Sequence, residues 1–125
     1  MADYEQLIVD EMNCVSVVRF RESWISGVPM IEKLGEELYG LVEKEDRKNL
    51  VLDFSAVKFL SSAVLGKLVK LNAKLRGRSG TMTLCNLQPQ ILDVFLVCKL
   101  DCLFEIQRRP AEPSPRSGSL NRQRD

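Results

Sequence analysis

Apolar residues along this chain switch repeatedly between two spacings. Residues 4–9 form a short apolar-leaning run, and the polar pair Asp10-Glu11 after it predicts a turn. In residues 14–21 the β-formers Val15, Val17, Val18 and Phe20 lie close together, with polar residues alternating toward the end. That pattern predicts a strand, paired with the first run as a hairpin. Ser26-Gly27-Val28-Pro29 breaks it. Pro29 suits the first turn of a helix, where its missing N–H has no partner to lose. Met30, Ile31, Leu34, Leu38, Leu41 and Val42 then recur at three- and four-residue spacing, the stripe of a helix buried on one side. Glu32, Glu36, Glu37 and Glu43 fall mostly off that stripe and read as its solvated face.

Residues 49–54, Asn-Leu-Val-Leu-Asp-Phe, are almost wholly apolar and read as a central strand covered on both sides. Phe59-Leu60-Ser61-Ser62 leads into a second helix with Val64, Leu65, Leu68, Leu71 and Leu75 as its stripe and Lys67, Lys70 and Lys74 on another face. Gly77-Arg78-Ser79-Gly80 ends it, with glycine available for a left-handed cap. Residues 81–85 form another strand, Pro89 opens a third helix running to Val97, and residues 102–106 form a last strand. The order β-β-α-β-α-β-α-β predicts an α/β fold: one small mixed sheet, mostly parallel, with right-handed crossovers and flanking helices.

A chain of 125 residues with 45% apolar content holds one domain able to bury its own core. We place that domain at residues 1–106. From Gln107 onward five arginines oppose only Glu112 and Asp125, among prolines and serines, so residues 107–125 read as a disordered basic tail. Without interleaved aromatics, those arginines do not make a nucleic-acid site. No apolar run reaches bilayer length; the densest, residues 91–98, is interrupted by Asp93. The start, Met1-Ala2-Asp3-Tyr4-Glu5, lacks the layout of a signal peptide. The expectation is a cytoplasmic protein with no membrane contact.

Histidine is absent, which removes the commonest general base and any Ser-His-Asp or Cys-His arrangement. Cys14, Cys85, Cys98 and Cys102 form no CxxC; a Cys98–Cys102 metal or redox pair is the alternative to the favoured reading as small buried hydrophobes, under which neither a metal site nor a cofactor is expected. No Walker-type or dinucleotide-type glycine loop occurs. Asp53, a lone carboxylate at a strand end, suits hydrogen bonding to a loop or a partner rather than catalysis. The lysine row reads as a solvated face before it reads as an attractor of acidic partners. Trp24, near a strand end, suits either edge packing or an interface anchor.

Ser61-Ser62 stands at the start of the second helix, where backbone N–H groups lack intrahelical partners. A hydroxyl there can cap one of them for about 1 kcal/mol. The same helix end carries partial positive charge and tolerates a phosphate, so the position also suits a switch that leaves the domain folded.

The stretch Val51-Leu52-Asp53-Phe54-Ser55-Ala56-Val57-Lys58-Phe59-Leu60-Ser61-Ser62-Ala63-Val64-Leu65-Gly66 resembles the signature of bacterial anti-sigma factor antagonists of the STAS family. Leu84-Cys85-Asn86-Leu87-Gln88-Pro89-Gln90-Ile91-Leu92-Asp93-Val94-Phe95 and Lys99-Leu100-Asp101-Cys102-Leu103-Phe104-Glu105-Ile106 are similar to the family's later segments. The resemblance implies a non-catalytic partner switch. Such a protein binds an anti-sigma factor that is itself a serine kinase and so frees a sigma factor; phosphorylation on serine ends the complex, and a serine phosphatase resets it. Aligned without gaps from Phe59, Ser62 falls on the phosphoacceptor, with Ser61 the neighbouring alternative, and Asp53, Ser61, Ser62 and Ala63 fall in the partner-binding region. Ser61 stands where the family has aspartate, Ala63 where it has a hydroxyl residue, and Val64 where it has glycine. Those departures keep two alternatives open: a STAS module that binds without being phosphorylated, and a STAS subunit of a lipid or anion transporter.

The tail contributes no core on this reading. Deleting residues 108–125 is expected to leave the thermal midpoint nearly unchanged, and a drop of several degrees in calorimetry would show that the tail docks.

Overall fold

In the computed structural model, which describes residues 4–107, the first hairpin turns at Asn13 and Cys14, both left-handed with φ of 53° and 68°. It joins β1 (Leu7–Met12) to β2 (Val15–Phe20) in antiparallel register from Met12 opposite Val15 to Leu7 opposite Phe20. The turn expected at Asp10-Glu11 therefore lies three residues later. A two-residue hairpin loop of type I′ needs positive φ at both central positions, which asparagine accepts readily. Asp10 and Glu11 remain in the strand because β1 is an edge of the sheet, where charged side chains reach water.

Then follow β3 (Trp24–Ile25), α1 (Val28–Glu43), β4 (Asn49–Asp53), β5 (Phe59–Leu60), α2 (Ser62–Arg76), β6 (Thr81–Cys85), α3 (Pro89–Val97), a 3-10 turn (Leu100–Cys102) and β7 (Glu105–Gln107). Gln107, counted above with the tail, is the last residue of β7, opposite Cys85; the rest of that tail lies outside the described residues. The main sheet has the order β1-β2-β4-β6-β7, and every pair after the hairpin is parallel. β3 and β5, each two residues long, pair in parallel as a separate small sheet. Strands that short show no alternation, so the sequence pattern did not reveal them.

A strand order that advances in one direction through right-handed crossovers carries α1, α2 and α3 over the same face of the sheet. Burial follows that geometry. Val18 and Phe20 of β2, Leu50 and Leu52 of β4, and Met82 and Leu84 of β6 point inward and are buried, whereas Val17, Val51 and Thr83 between them are half-buried. The central strand β4 is thus covered on one face, not on both as its composition suggested. Its apolar Val51 is shielded on the other face by its lateral neighbours Val17 and Thr83. Phe20, Phe54, Phe95 and Phe104 form a continuous run of ring contacts, with successive centroids 4.9, 6.3 and 5.9 Å apart, linking β2 to the end of the fold.

In α1 the expected stripe is buried at Ile31, Leu34, Leu38, Leu41 and Val42, and Pro29 lies in the first turn. Glu37 departs from expectation. It is buried, and its carboxylate accepts the backbone N–H groups of Glu5 at 2.9 Å and Gln6 at 3.0 Å. Two donors satisfy the buried charge, and α1 thereby holds the segment that enters β1. The lysine row of α2 also departs from a solvated face. Lys67 pairs with Glu32 at 3.2 Å, and Lys74 pairs with Glu43. Lys70 and Lys74 lie over the Tyr39 ring, whose hydroxyl donates to the Lys67 carbonyl at 3.3 Å. Gly35 makes room: a Cβ there would lie 3.0 Å from Lys67 Cδ. The lysines clip α2 to α1.

α2 buries Val64, Leu65, Leu68, Leu71 and Leu75 as expected. Its end differs in detail. Gly77 is right-handed, and the left-handed residue is Ser79 with φ of 62°. Gly80 serves close approach instead, since an added Cβ would lie 2.4 Å from the Lys48 carbonyl oxygen. Among the cysteines only Cys85 is buried, and Cys14, Cys98 and Cys102 are exposed, against the expectation of four buried thiols. Cys14 sits on the hairpin turn, Cys98 caps the end of α3, and Cys102 is the last residue of the short turn that follows.

Leu68 is fully buried at the centre of the α2 stripe. Leu68→Ala should lower unfolding free energy by roughly 2–5 kcal/mol in urea titration, and a value near zero would contradict this packing.

Candidate functional site

α2 begins at Ser62, and the residue before it, Ser61, is its N-cap with φ −78° and ψ 161°. The chain leading there is pinned. Lys58 and Phe59 donate their N–H groups to the Ser23 carbonyl at 2.8 and 3.2 Å, and Ser61 donates to the Ile25 carbonyl at 3.0 Å. Between these bonds, β3 and β5 pair Trp24 with Phe59 and Ile25 with Leu60, and the second pair is buried in the core. The approach to α2 is thus fixed by backbone hydrogen bonds on one side and apolar burial on the other.

Neither serine caps the helix through its side chain. Ser62 lies one residue inside the helix and is exposed, as is Ala63. The Ser61 hydroxyl oxygen is buried and has no hydrogen-bond partner among the described residues. The capping contribution expected from the sequence is therefore absent, and the Ser61 carbonyl alone accepts the Val64 N–H at 3.0 Å. The first turn of α2 contains no acidic side chain. Its leading N–H groups leave a partial positive charge uncompensated by the helix itself.

Asp53 ends β4 and binds the neighbouring loops. Its Oδ1 accepts the Ser55 N–H at 2.9 Å and the Asn86 side-chain amide at 3.0 Å, while Arg19 Nε lies 3.7 Å from Oδ2. Gln88 donates to the Ser55 carbonyl at 3.2 Å, and the Phe54 N–H donates to the Cys85 carbonyl at 3.0 Å. The loop after β4 is thereby tied to the loop after β6. Of the two roles open to Asp53, loop hydrogen bonding is the one seen; no hydrogen bond among the described residues joins it to Ser61 or Ser62. Asn86 and Gln88 were not singled out as site residues, and polar residues straight after a strand were the only cue. Asn86 adopts φ of 59°, a conformation asparagine tolerates. Burial and the Asp53 charge push the Cys85 thiol up to about 11, which keeps it protonated and unreactive near neutral pH.

A polar cavity of about 470 Å³ opens at the other end of the sheet, lined by Glu11, Ser16, Glu45 and Arg47 among others. Arg47 there donates to Glu45 at 2.8 Å, Ser16 at 2.9 Å and Glu11 at 3.1 Å. Glu11, Glu45 and Arg47 are thereby engaged with one another. Among the described residues no group of three or more Cys, Asp or Glu side chains is placed to hold a metal ion, and no helix is long and apolar enough to cross a membrane.

A mixed sheet grown in one direction, with an exposed serine at the start of its second helix, defines an α/β domain of one layer of helices on one sheet. The model of the STAS domain family matches residues 11–112, and this chain belongs to that family. A Bordetella bronchiseptica protein described as a candidate anti-sigma factor antagonist, BtrV, is 32% identical over 75 residues, which is 60% of this chain and 64% of that protein. The chain thus matches just under two thirds of that relative's length. An anti-sigma factor antagonist of Mycobacterium paratuberculosis has a similar structure, with a TM-score of 0.71 and 26% identity over 84% of this chain and 85% of that one. A candidate antagonist of Thermotoga maritima superposes with a TM-score of 0.76 at 13% identity, over 84% of this chain and 88% of that one.

Burial pushes the Asp53 carboxyl up, but its donors Asn86 and Ser55 and the charge of Arg19 outweigh it and hold the group below the ordinary carboxylate value. A depressed folded-state pKa stabilises the fold above the unfolded value of about 3.9, and that contribution is lost as pH falls through the folded value. Thermal midpoints of wild type and Asp53→Asn should therefore converge as pH drops from about 5 to about 3, wild type being higher at the upper end. A gap independent of pH would contradict the assigned network.

Proposed function

We propose that this protein is a non-catalytic, cytoplasmic anti-sigma factor antagonist that binds an anti-sigma factor serine kinase and is released from it by phosphorylation of Ser62. In the complex the kinase is occupied and its sigma factor is free. The transfer breaks the bond between the γ-phosphorus of ATP and its bridging oxygen and forms a bond to Ser62 Oγ. ADP leaves, and the hydroxyl proton passes to base or solvent. A serine phosphatase hydrolyses the ester and restores the binding form.

One observation carries this reading: Ser62 is exposed on a pinned helix start while the adjacent Ser61 hydroxyl is buried. The family membership and the antagonist names of the relatives support the same role. Asp53, Ser61 and Ala63 are proposed to shape the surface around the acceptor, Asp53 indirectly by fixing the loop after β4.

Incubation with the cognate kinase and ATP, followed by mass spectrometry, tests the reading. Wild type and Ser61→Ala should gain one phosphate and Ser62→Ala none. Because no side-chain cap is lost, the thermal midpoint of Ser62→Ala should match wild type, and it should hold the kinase whether or not ATP is present. Ser62→Asp should fold and bind the kinase less well than wild type. The loss should be smaller than that of the phosphoprotein, since one charge replaces about 1.5 to 2. Uptake by Ser62→Ala but not Ser61→Ala would move the acceptor to Ser61. No uptake by wild type would discard the kinase switch in favour of a binding module of the transporter type.

A further inference from the structure

The small sheet of β3 and β5 has two unlike faces. Ile25 and Leu60 enter the core, whereas Trp24 and Phe59 stack on the outside with ring centroids 4.5 Å apart and planes inclined by 19°. The stack is not core packing, because Trp24 remains 61% and Phe59 37% exposed. Val28, in the first turn of α1, extends the apolar patch at 72% exposure. An open indole held flat by a neighbouring ring is a large, rigid contact area whose immobilisation has already been met by the fold.

The charge around this patch is net positive. Exposed Arg21 and Lys58 flank it against exposed Glu22, and neither α1 nor α2 has an acidic residue in its first turn. Both helices therefore begin beside the small sheet with their positive ends uncompensated by their own side chains.

We propose that the Trp24–Phe59 stack is the anchor on which the phosphorylating kinase docks, and that the kinase meets it with an apolar recess rimmed by carboxylates. This inference rests on the reading of Ser62 as the switch. Phe59 precedes Ser62 by three residues, and the hydrogen bonds from residues 58, 59 and 61 to residues 23 and 25 hold stack and serine in one rigid unit. A partner seated on the stack thus lies against Ser62. The sign of the switch follows: an acidic rim is drawn to the unmodified surface and repelled once phosphate adds about 1.5 to 2 negative charges. A second copy of this chain would bring the same cationic surround, and the arginine-rich residues 108–125 would bring like charge, so neither suits the site as well.

The test is titration of the full chain with the purified, ADP-loaded kinase that phosphorylates it, read by calorimetry and by emission from Trp24, the only tryptophan present. Trp24→Ala and Phe59→Ala should weaken binding about tenfold or more at unchanged thermal midpoint. Trp24→Phe should keep most of the affinity, and Val97→Ala, an exposed apolar residue at the end of α3, should keep all of it. Wild-type affinity should fall as salt is raised. Unchanged affinity in Trp24→Ala would overturn the anchor while leaving the Ser62 switch standing. Failure of wild type to bind the kinase would overturn both. A concentration-dependent dimer in sedimentation, abolished by Trp24→Ala, would assign the stack to a second copy and overturn the proposal as stated.

Discussion

Leu50 and Leu52 of β4, with Phe54 just beyond its end, carry the chain across the middle of the molecule, β2 on one side and β6 on the other, and all three are buried. Each such side chain contributes about 1.5–3 kcal/mol when removed from water. Because both neighbours run parallel to β4, each connection must cross back, and right-handed crossing sends all three helices to one face. The ends of β4 and β6 then open along the same edge of the sheet. Asp53, Asn86 and Gln88 meet there through hydrogen bonds that bridge two loops distant in sequence. The loops around the site are ordered because the strands beneath them are fixed.

The helices and central strands were legible in the chain because their periodicity extends over several turns or residues. The stripe from Val64 to Leu75 is buried where spacing placed it. Features with no periodicity were not legible. β3 and β5 consist of two residues each, so Trp24 could only be read as packing or interface, and its stacking partner Phe59 lies 35 residues away in the chain. Glu37 was hidden for another reason. Its position on the helix wheel sits at the margin of the stripe, and only the return of residues 5 and 6 across α1 gives its charge a buried purpose. The motif around Ser62 was readable as a string of residues, but the different exposure of the two serine hydroxyls depends on the backbone path that β5 imposes.

Pairing within the fold also decides which charges remain for a partner. The lysines of α2 are engaged by Glu32, Glu43 and the Tyr39 ring, and Arg47 is engaged by Glu45, Glu11 and Ser16. Partly exposed pairs of this sort add little stability individually. Their consequence is spatial: they engage the lysines Lys67 and Lys74 on the α1–α2 flank and Arg47 at the far end of the sheet. The helix starts beside the small sheet have no such compensation within their first turns.

Placing a phosphate on Ser62 rather than Ser61 has a physical consequence for how such a switch operates. The Ser61 hydroxyl oxygen is buried, so phosphorylation there would require local rearrangement, and the added charge would then have to stay out of the interior. The Ser62 hydroxyl already faces solvent at the positive end of an intact helix, where a dianion is stabilised by the leading N–H groups. Modification there leaves the core and the paired strands β3 and β5 as they are and alters only the potential of the surface that a partner would cover. No conformational relay is required. Under the proposed switch the two states would differ by charge on one surface, and removing the phosphate would need no refolding step.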